Sequence, residues 1–455
     1  MKKVAFYTLG CKVNQYETNA MIEKFINKGY ENVNFEDIAD IYVINTCTVT
    51  NMSDRKSRQI IRRVKQMNPN AVLVVTGCYA QVSAKELEKI EEIDLIVGNT
   101  EKKEIVDIIE NYLIVKYDCV DIIDSNLCKD KLEFDKLNNS KINMTDINKQ
   151  KDFIDFGTTT YTEKTRAVIK VQDGCNNFCS YCIIPYAKGR VRSRKLESII
   201  KEIESIVEKG IKEVVITGIH VASYGIDFED SNIRLIDLLE NINKIEGLKR
   251  IRLGSLEPNI ITDEFVKRLK KVDKICDHFH LSLQSGCDNT LKRMNRKYTT
   301  QDFEKVVELL RVAFPEVVLT TDIIVGFPGE TEEEFEITYN YLEKIKFYKM
   351  HVFKYSQRKG TRAATMSNQI DAKIKEKRSH KLIELSNKNE KEFLQKNVGK
   401  KIEVLFEEEE NGFFKGHTSN YLIVKTKGRS LENKILNIEI LKEENFALIG
   451  NEIIV

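Results

Sequence analysis

No run of about eighteen apolar residues occurs anywhere in the 455-residue sequence, which argues against a membrane-spanning helix. The opening stretch MKKVAFYTLGCKVNQYE turns polar too early for a secretory leader and lacks a small-residue cleavage site, so a cytoplasmic protein is expected. Net charge is scarce too: 72 Lys and Arg stand against 70 Asp and Glu, and any nucleic-acid surface must therefore be local. No internal repeat or targeting tail is evident. Length and thiols are what the chain does have. It exceeds what one hydrophobic core fills, so two or three domains are expected, and 42% hydrophobic with 31% charged residues describes a globular protein. Ten cysteines in a reducing compartment stay free for metal or catalysis.

The first hundred residues alternate apolar runs with helical patterns. KVAFYTLG, IYVINT and AVLVVTG read as buried strands, rich in Val and Ile and bounded by turn residues. NQYETNAMIEKFINKG and NMSDRKSRQIIRRVKQMN read as helices, stopped by Gly29 and by Asn68-Pro69. Strand alternating with helix predicts a parallel sheet in an α/β domain over 1–114. From about 101 to 163 the pattern decays into a charged stretch rich in Asn and Lys that reads as a helix, an edge strand and then a linker, with 115–160 taken as the linker between domains; Cys119 and Cys128 lie there without regular spacing. The alternation then resumes with AVIKVQ, EVVITG, RIRLGS, HFHLSL, VVLTTDIIVG and KMHVFKYS. Six units predict a partial (β/α)6 barrel over 161–391, with its active site at the carboxyl ends of the strands. From 392 to 455, five short strands joined by polar turns predict a small all-β barrel.

The densest chemistry is QDGCNNFCSYCIIP, where Cys175, Cys179 and Cys182 follow the first barrel strand at C-x3-C-x2-C spacing. A four-iron cluster normally takes four thiolates, and three leave one iron open, the mark of a reactive rather than a structural centre. Structural zinc and inert core thiols are the alternatives; zinc would want a fourth ligand, and the nearest histidine, His220, follows the next strand. Asp173, Gly174, Asn176 and Asn177 make the segment a polar loop rather than a core. Each of the first three strands also ends in a cysteine, Cys11, Cys47 and Cys78. Strand ends of a parallel sheet converge, so these three read as a second site, with plain burial as the alternative. Cys276 and Cys287 flank a barrel strand without regular spacing and read as structural.

The C-x3-C-x2-C loop after the first strand of a partial barrel resembles the radical S-adenosylmethionine superfamily. LGCKVNQYE, NTCTVT, GCYAQ, CSYCIIPYAKGRVRSR, TGIHVASYG, SLEP, HLSLQSGC and DIIVGFPGETEEEF, which span nearly the whole chain, resemble the methylthiotransferases within it. LGCKVNQYE and TGIH are most similar to the branch acting on N6-threonylcarbamoyladenosine beside the anticodon of transfer RNA. The resemblance implies two 4Fe-4S clusters, on Cys175, Cys179 and Cys182 and on Cys11, Cys47 and Cys78. It implies that the open iron chelates S-adenosylmethionine and cleaves it to a 5′-deoxyadenosyl radical, the cofactors carrying the hard step. It implies that the second cluster handles the sulfur, and that residues 392–455 are a TRAM domain, an RNA-binding module. Implied partners are the tRNA anticodon stem-loop, an external electron donor of the flavodoxin or ferredoxin type and a sulfur donor. Matched to the family, Tyr181 contacts adenine, Arg194, Ser255, Glu257 and Gln284 face the nucleoside or methionine part, and Gly326 and Pro328 lie on the strand that packs on adenine. One departure stands out: where many radical enzymes carry Gly-Gly-Glu after the second strand, this chain has Thr217, Gly218, Ile219 and His220.

The terminal barrel carries ten Lys or Arg against eleven Asp or Glu from Lys391 onward, and its EEEE run reads as a solvated turn. Basic residues cluster elsewhere: Arg55, Lys56, Arg58, Arg62, Arg63 and Lys65; Lys188, Arg190, Arg192, Arg194 and Lys195; Lys292, Arg293, Arg296 and Lys297. All follow strand carboxyl ends, where they would neutralise phosphates, with Tyr224, Phe353 and Tyr355 as possible stacking partners for bases. The expected activity is replacement of an adenine C–H by a methylthio group. The rival readings are methylthiolation of a ribosomal-protein aspartate and a non-catalytic iron–sulfur carrier that binds RNA.

Overall fold

The computed structural model describes residues 1–121, 141–159, 165–229 and 231–453; the side chain of Cys119, and Cys128 altogether, lie outside them. Two compact units are present. The first comprises Met1–Tyr161, Asp173–Asn176 and Ile183–Arg194, and the second the remainder.

The first unit is a six-stranded parallel sheet of β1 (Lys3–Thr8), β2 (Glu31–Val33), β3 (Ile41–Thr46), β4 (Val72–Gly77), β5 (Leu95–Val97) and β6 (Ile142–Asn143), in the order β2-β1-β3-β4-β5-β6. β3 and β4 are buried at every position, as expected of strands covered on both faces. Alternate residues serve different cores. Tyr42, Ile44, Leu73 and Val75 pack with Ile61 and Val64 of α2 (Asn51–Met67) and Leu87 of α3 (Cys78–Leu87). Ile41, Val43, Val72 and Val74 pack with Met21 and Phe25 of α1 (Lys12–Asn27) and Ile105 and Ile109 of α4 (Ile105–Asp121). In the segment read as a helix, an edge strand and a linker, α4 runs to Asp121 and Ile142–Asn143 joins the sheet edge. The short strand β8 (Arg192–Ser193) also belongs to this unit.

In the second unit β7 (Arg166–Asp173), β9 (Glu213–Gly218) and β10 (Arg250–Leu253) pair in parallel, as do β11 (His278–Gln284), β12 (Val318–Val325) and β13 (Lys349–Lys354). Parallel bridges Ile251–Ile275 and Leu256–Leu281 join the two sets, giving the six-stranded open barrel. Capping boxes at Thr299 with Asp302 and Thr331 with Glu334 start two of its outer helices. Leu281, Leu283 and Ile323 face these helices and bury the main core.

Strands β14 (Lys401–Glu410), β15 (Phe413–Thr418), β16 (Ile423–Thr426), β17 (Ile435–Glu444) and β18 (Ala447–Glu452) close into a barrel. It docks at the amino ends of the parallel strands. Arg252 donates to Glu213 and to the carbonyls of Thr418 and Ser419, Arg250 to Glu403 and the carbonyl of His417, and Arg166 to Glu407. The carboxyl ends of the parallel strands, where function is expected, are left clear of those contacts. The EEEE run is not a turn but the last residues of β14; Glu407 bonds His417, while Glu408 and Glu410 pair with Lys415 and Lys425. No helix among the described residues is long and apolar enough to cross a membrane.

Candidate cluster and cofactor sites

In the first unit β1, β3 and β4 are neighbours in register, with Thr8 opposite Asn45 and Thr46 opposite Gly77, so their ends lie level. Cys11 is the N-cap of α1, Cys47 follows β3, and Cys78 is the first residue of α3. Cys11 is exposed, whereas Cys47 and Cys78 are buried. A Cβ on Gly10 would lie 2.8 Å from Cys47 Cβ and 3.0 Å from its Sγ, so the first turn approaches the second thiol as closely as glycine permits. Asn14 donates to the carbonyls of Leu9 and Thr46, tying the two strand ends together. Among the described residues, one set of three ligand atoms lies within 4.8 Å of one another, and it contains no cysteine. The three sulfurs are therefore not all within 4.8 Å of one another. Burial pushes the thiol of Cys47 up, and that of Cys78 up to about 12, so binding must displace protons.

Gly77 is a second backbone constraint. Its φ is +99°, and a Cβ would stand 2.4 Å from the Thr46 carbonyl oxygen. Gly77→Ala is expected to cost more than the ~1–2 kcal/mol of left-handed strain alone and to displace Cys78. Gly29, at φ +84° with nothing within 4 Å of a Cβ, is the control whose alanine variant meets only the strain. Urea denaturation of both variants checks this, and equal losses would show that the contact with Thr46 does not matter.

Beside Cys78 lies a charge cluster the sequence reading missed. Lys102 Nζ donates to Glu17 at 2.5 Å and to Asn45 Oδ1 at 3.0 Å, and Lys188 Nζ donates to both oxygens of Glu17 at 2.7 and 3.0 Å. All three charged residues are at most 2% exposed. Two ammonium groups share one carboxylate, leaving net positive charge, and both act electrostatically on Cys78. Desolvation lowers Lys102 to about 8, while for Lys188 the attraction of Glu17, Asp173 and Cys78 outweighs desolvation and holds its value up.

The C-x3-C-x2-C loop is held segment by segment. In the first unit Cys175 N–H donates to the Gly189 carbonyl and Asn176 accepts from Val191 N–H. In the second unit Asn177 donates to Glu257 at 2.8 Å and meets His220 Nε2 at 3.2 Å. Ser180 is fixed by Met294, Arg293 and Ala363 through its N–H, hydroxyl and carbonyl. Arg296 donates to Cys179 Sγ at 3.1 Å and to the Ser282 carbonyl, and pairs with Glu257 at 2.6 Å. Burial alone would raise Glu257, but hydrogen bonding from His220, the charge of Arg296 and the bond from Asn177 hold it below the usual carboxylate range. Tyr181 packs edge-on to Phe327 at 6.4 Å, and Phe327 meets Tyr355 at 5.4 Å. Among the described residues the buried Tyr355 hydroxyl has no hydrogen-bond partner.

The other expected contacts separate. Gln284 ends β11 at φ +73°, nearly buried; Gly326, at φ +68°, donates its N–H to Glu330; Ser255 is exposed. Pro328 is buried. Arg194 lies in the first unit, where its guanidinium meets Asp155, Tyr16 and the Gly157 carbonyl. The departing His220 takes its place beside Glu257, paired at 3.1 Å.

The basic clusters also resolve differently. Lys188 and Arg192 are buried, the latter beside Asp173. Arg293 pairs with Glu334 and Arg296 with Glu257, so neither is a free phosphate contact. On α2, Arg58, Arg63 and Lys65 meet Glu86, Glu36 and Asp94, while Arg55, Lys56 and Arg62 are exposed. Of the aromatics, Tyr224 is fully buried in the main core and Phe353 is exposed. Cys276 and Cys287 are buried.

Comparison with known proteins places these features. Residues 169–342 match the radical SAM superfamily and residues 3–98 match "Uncharacterized protein family UPF0004". The chain is 44% identical to the threonylcarbamoyladenosine tRNA methylthiotransferase MtaB of Bacillus subtilis, covering 97% of this chain and 94% of that one. It is 42% identical to the MtaB of Aquifex aeolicus over 96% and 100%. Identity is 35% to the tRNA-2-methylthio-N(6)-dimethylallyladenosine synthase of Clostridium novyi, over 99% and 96%. Among solved structures, the radical S-adenosylmethionine methyltransferase TsrM of Kitasatospora setae superposes with a TM-score of 0.54 at 16% identity, covering 80% of this chain and 77% of that one, a likeness of fold.

Proposed function

The chain belongs to the methylthiotransferase family of radical S-adenosylmethionine enzymes, and from that premise we propose that it installs a methylthio group on N6-threonylcarbamoyladenosine beside the anticodon of transfer RNA, at C2 of the adenine. The observation that supports the choice of nucleoside is identity over most of the chain: threonylcarbamoyladenosine enzymes match at 44%, 42%, 38% and 35%, and dimethylallyladenosine enzymes at 35%, 34% and 32%. Cys175, Cys179 and Cys182 would hold the 4Fe-4S cluster implied by the family, and Cys11, Cys47 and Cys78 a second one. When bound, the first cluster and S-adenosylmethionine supply the one-electron chemistry that activates an aromatic C–H bond.

The remaining roles belong to side chains. Arg296 places a positive charge against Cys179 Sγ and donates a hydrogen bond to it. Glu257, ionised and oriented by Asn177, His220 and Arg296, is an acceptor for an amine or a ribose hydroxyl, in a chain that lacks Gly-Gly-Glu at the usual place. Tyr181, Phe327 and Tyr355 form an apolar wall that suits a purine and excludes water, and Gln284 and Gly326 contribute strand-end backbone there. In the first unit Lys102 and Lys188 offset the negative charge of three thiolates. Arg55, Lys56 and Arg62 offer phosphate contacts, and residues 392–455 act as the TRAM domain behind the core of residues 161–391. A flavodoxin or ferredoxin type electron donor and a sulfur donor complete the partners, in the reducing cytoplasm that leaves thiols free.

Nucleoside mass spectrometry tests the reading. Transfer RNA from cells lacking the gene is expected to lose 2-methylthio-N6-threonylcarbamoyladenosine and accumulate the unthiolated nucleoside, and re-expression is expected to restore it. An unchanged profile would reject the substrate.

A further inference from the structure

One side-chain cluster of the second unit is used by none of the chemistry above. His280 on β11, Asp322 on β12 and His351 on β13 bring one ligand atom each within 4.8 Å of one another. Their positions follow from register. Asp322 pairs directly with His351 across β12 and β13, and His280 pairs with Thr320, two residues before Asp322 on the same side of β12. His280 Nε2 stands 3.2 Å from Asp322 Oδ2, and the two imidazole rings are 5.7 Å apart between centroids.

We infer that His280, Asp322 and His351 form a binding site for a divalent transition-metal ion, separate from both cysteine sites. Two imidazoles and one carboxylate are donors that suit zinc, iron, cobalt or nickel rather than magnesium or calcium. The surroundings meet the further requirements of such a site. His280 Nδ1 is 3.0 Å from Thr320 Oγ1, whose other neighbour is His278 Nε2 at 3.2 Å. With the Thr320 proton given to His278, the hydroxyl accepts from His280 Nδ1–H, and Nε2 presents its lone pair toward Asp322. That outer-shell bond is the kind that fixes tautomer and orientation in metal-bound histidines. In the same arrangement a lone pair and a carboxylate oxygen face each other at 3.2 Å, a pairing that a cation between them makes favourable. Lys349 is committed to Glu390 at 3.0 Å. His351 is exposed and Asp322 partly exposed, so an ion has a path in. Three protein donors leave coordination positions for an oxygen ligand.

The test is equilibrium dialysis of the cluster-loaded protein against zinc, with bound zinc and iron counted by elemental analysis and the zinc shell read by X-ray absorption. Wild type is expected to bind one zinc without loss of iron, in a shell of nitrogen and oxygen at ~2.0–2.1 Å and no sulfur at ~2.3 Å. His351→Ala, at an exposed edge position, and the isosteric Asp322→Asn are expected to weaken binding at least ~100-fold. Thr320→Val is expected to weaken it ~10–100-fold, the usual effect of losing an outer-shell partner. Each variant should retain wild-type iron content and circular dichroism. Equal zinc affinity in wild type, His351→Ala and Asp322→Asn would overturn the inference, as would a sulfur-containing shell in wild type.

Discussion

A Cys11→Ala enzyme is expected to retain about half of the parent's iron, about four of about eight atoms, and to cleave S-adenosylmethionine reductively while leaving its RNA substrate unthiolated. The separation follows from where the thiols sit. Cys11, Cys47 and Cys78 all belong to the first unit, at the ends of β1, β3 and β4, whereas Cys179 is held by Arg296 in the second. Cys11 is the variant to choose because it is exposed; Cys47 and Cys78 are buried, and their replacement would perturb packing as well as ligation. Iron analysis, electron paramagnetic resonance of the reduced protein, 5′-deoxyadenosine formation and nucleoside mass spectrometry give four separate readouts. Cys179→Ala is the complement, expected to lose the other half of the iron together with both activities. Unchanged iron in Cys11→Ala would remove the second cluster from the proposal, whatever happened to the RNA product.

Much of this was legible because it rests on covalent spacing or on periodicity. The six barrel strands and the five of the terminal barrel are short, β-branched and bounded by turns, and they form where their patterns place them. The level strand ends carrying Cys11, Cys47 and Cys78 follow from parallel register, which buries the same alternating residues in each strand. Charge was the part read least well. Arg192, Arg194, Arg293 and Arg296 look in sequence like phosphate ligands, yet each meets an acidic side chain distant in the chain: Asp173, Asp155, Glu334 and Glu257. A one-dimensional count shows the sign of a side chain but not the partner the fold brings to it, and buried arginine requires such a partner. The EEEE run misled for the same reason, since Glu407 is matched by His417 and Arg166 from other strands. His220 and Glu257, 37 positions apart by their numbering, meet because β9 and β10 are paired neighbours.

Glu17→Gln is expected to destabilise the first unit by ~3–5 kcal/mol, the usual effect of removing one partner from a buried ion pair. Glutamine keeps the shape of Glu17 but leaves Lys102 and Lys188, both fully buried, without their shared anion. The pH dependence identifies the cause. Desolvation already holds Lys102 at about 8 in the presence of Glu17, below the ~10.4 of an unfolded lysine. Between those values the unfolded chain binds more protons, so stability rises with pH across that window and is lost as pH falls through the folded value. Removing the carboxylate that raises Lys102 lowers its folded value further and extends the window downward. The variant should therefore gain more stability than the parent between pH 7 and pH 9.5, as measured by urea denaturation. Adding Lys102→Met should recover part of the loss by removing one of the two unpaired charges, a non-additive pairing expected of groups in contact. A loss below about 1 kcal/mol, or no recovery in the double variant, would mean that water or a relaxed side chain reaches these lysines, and the buried counter-charge assigned to the Cys11, Cys47 and Cys78 site would fall with it.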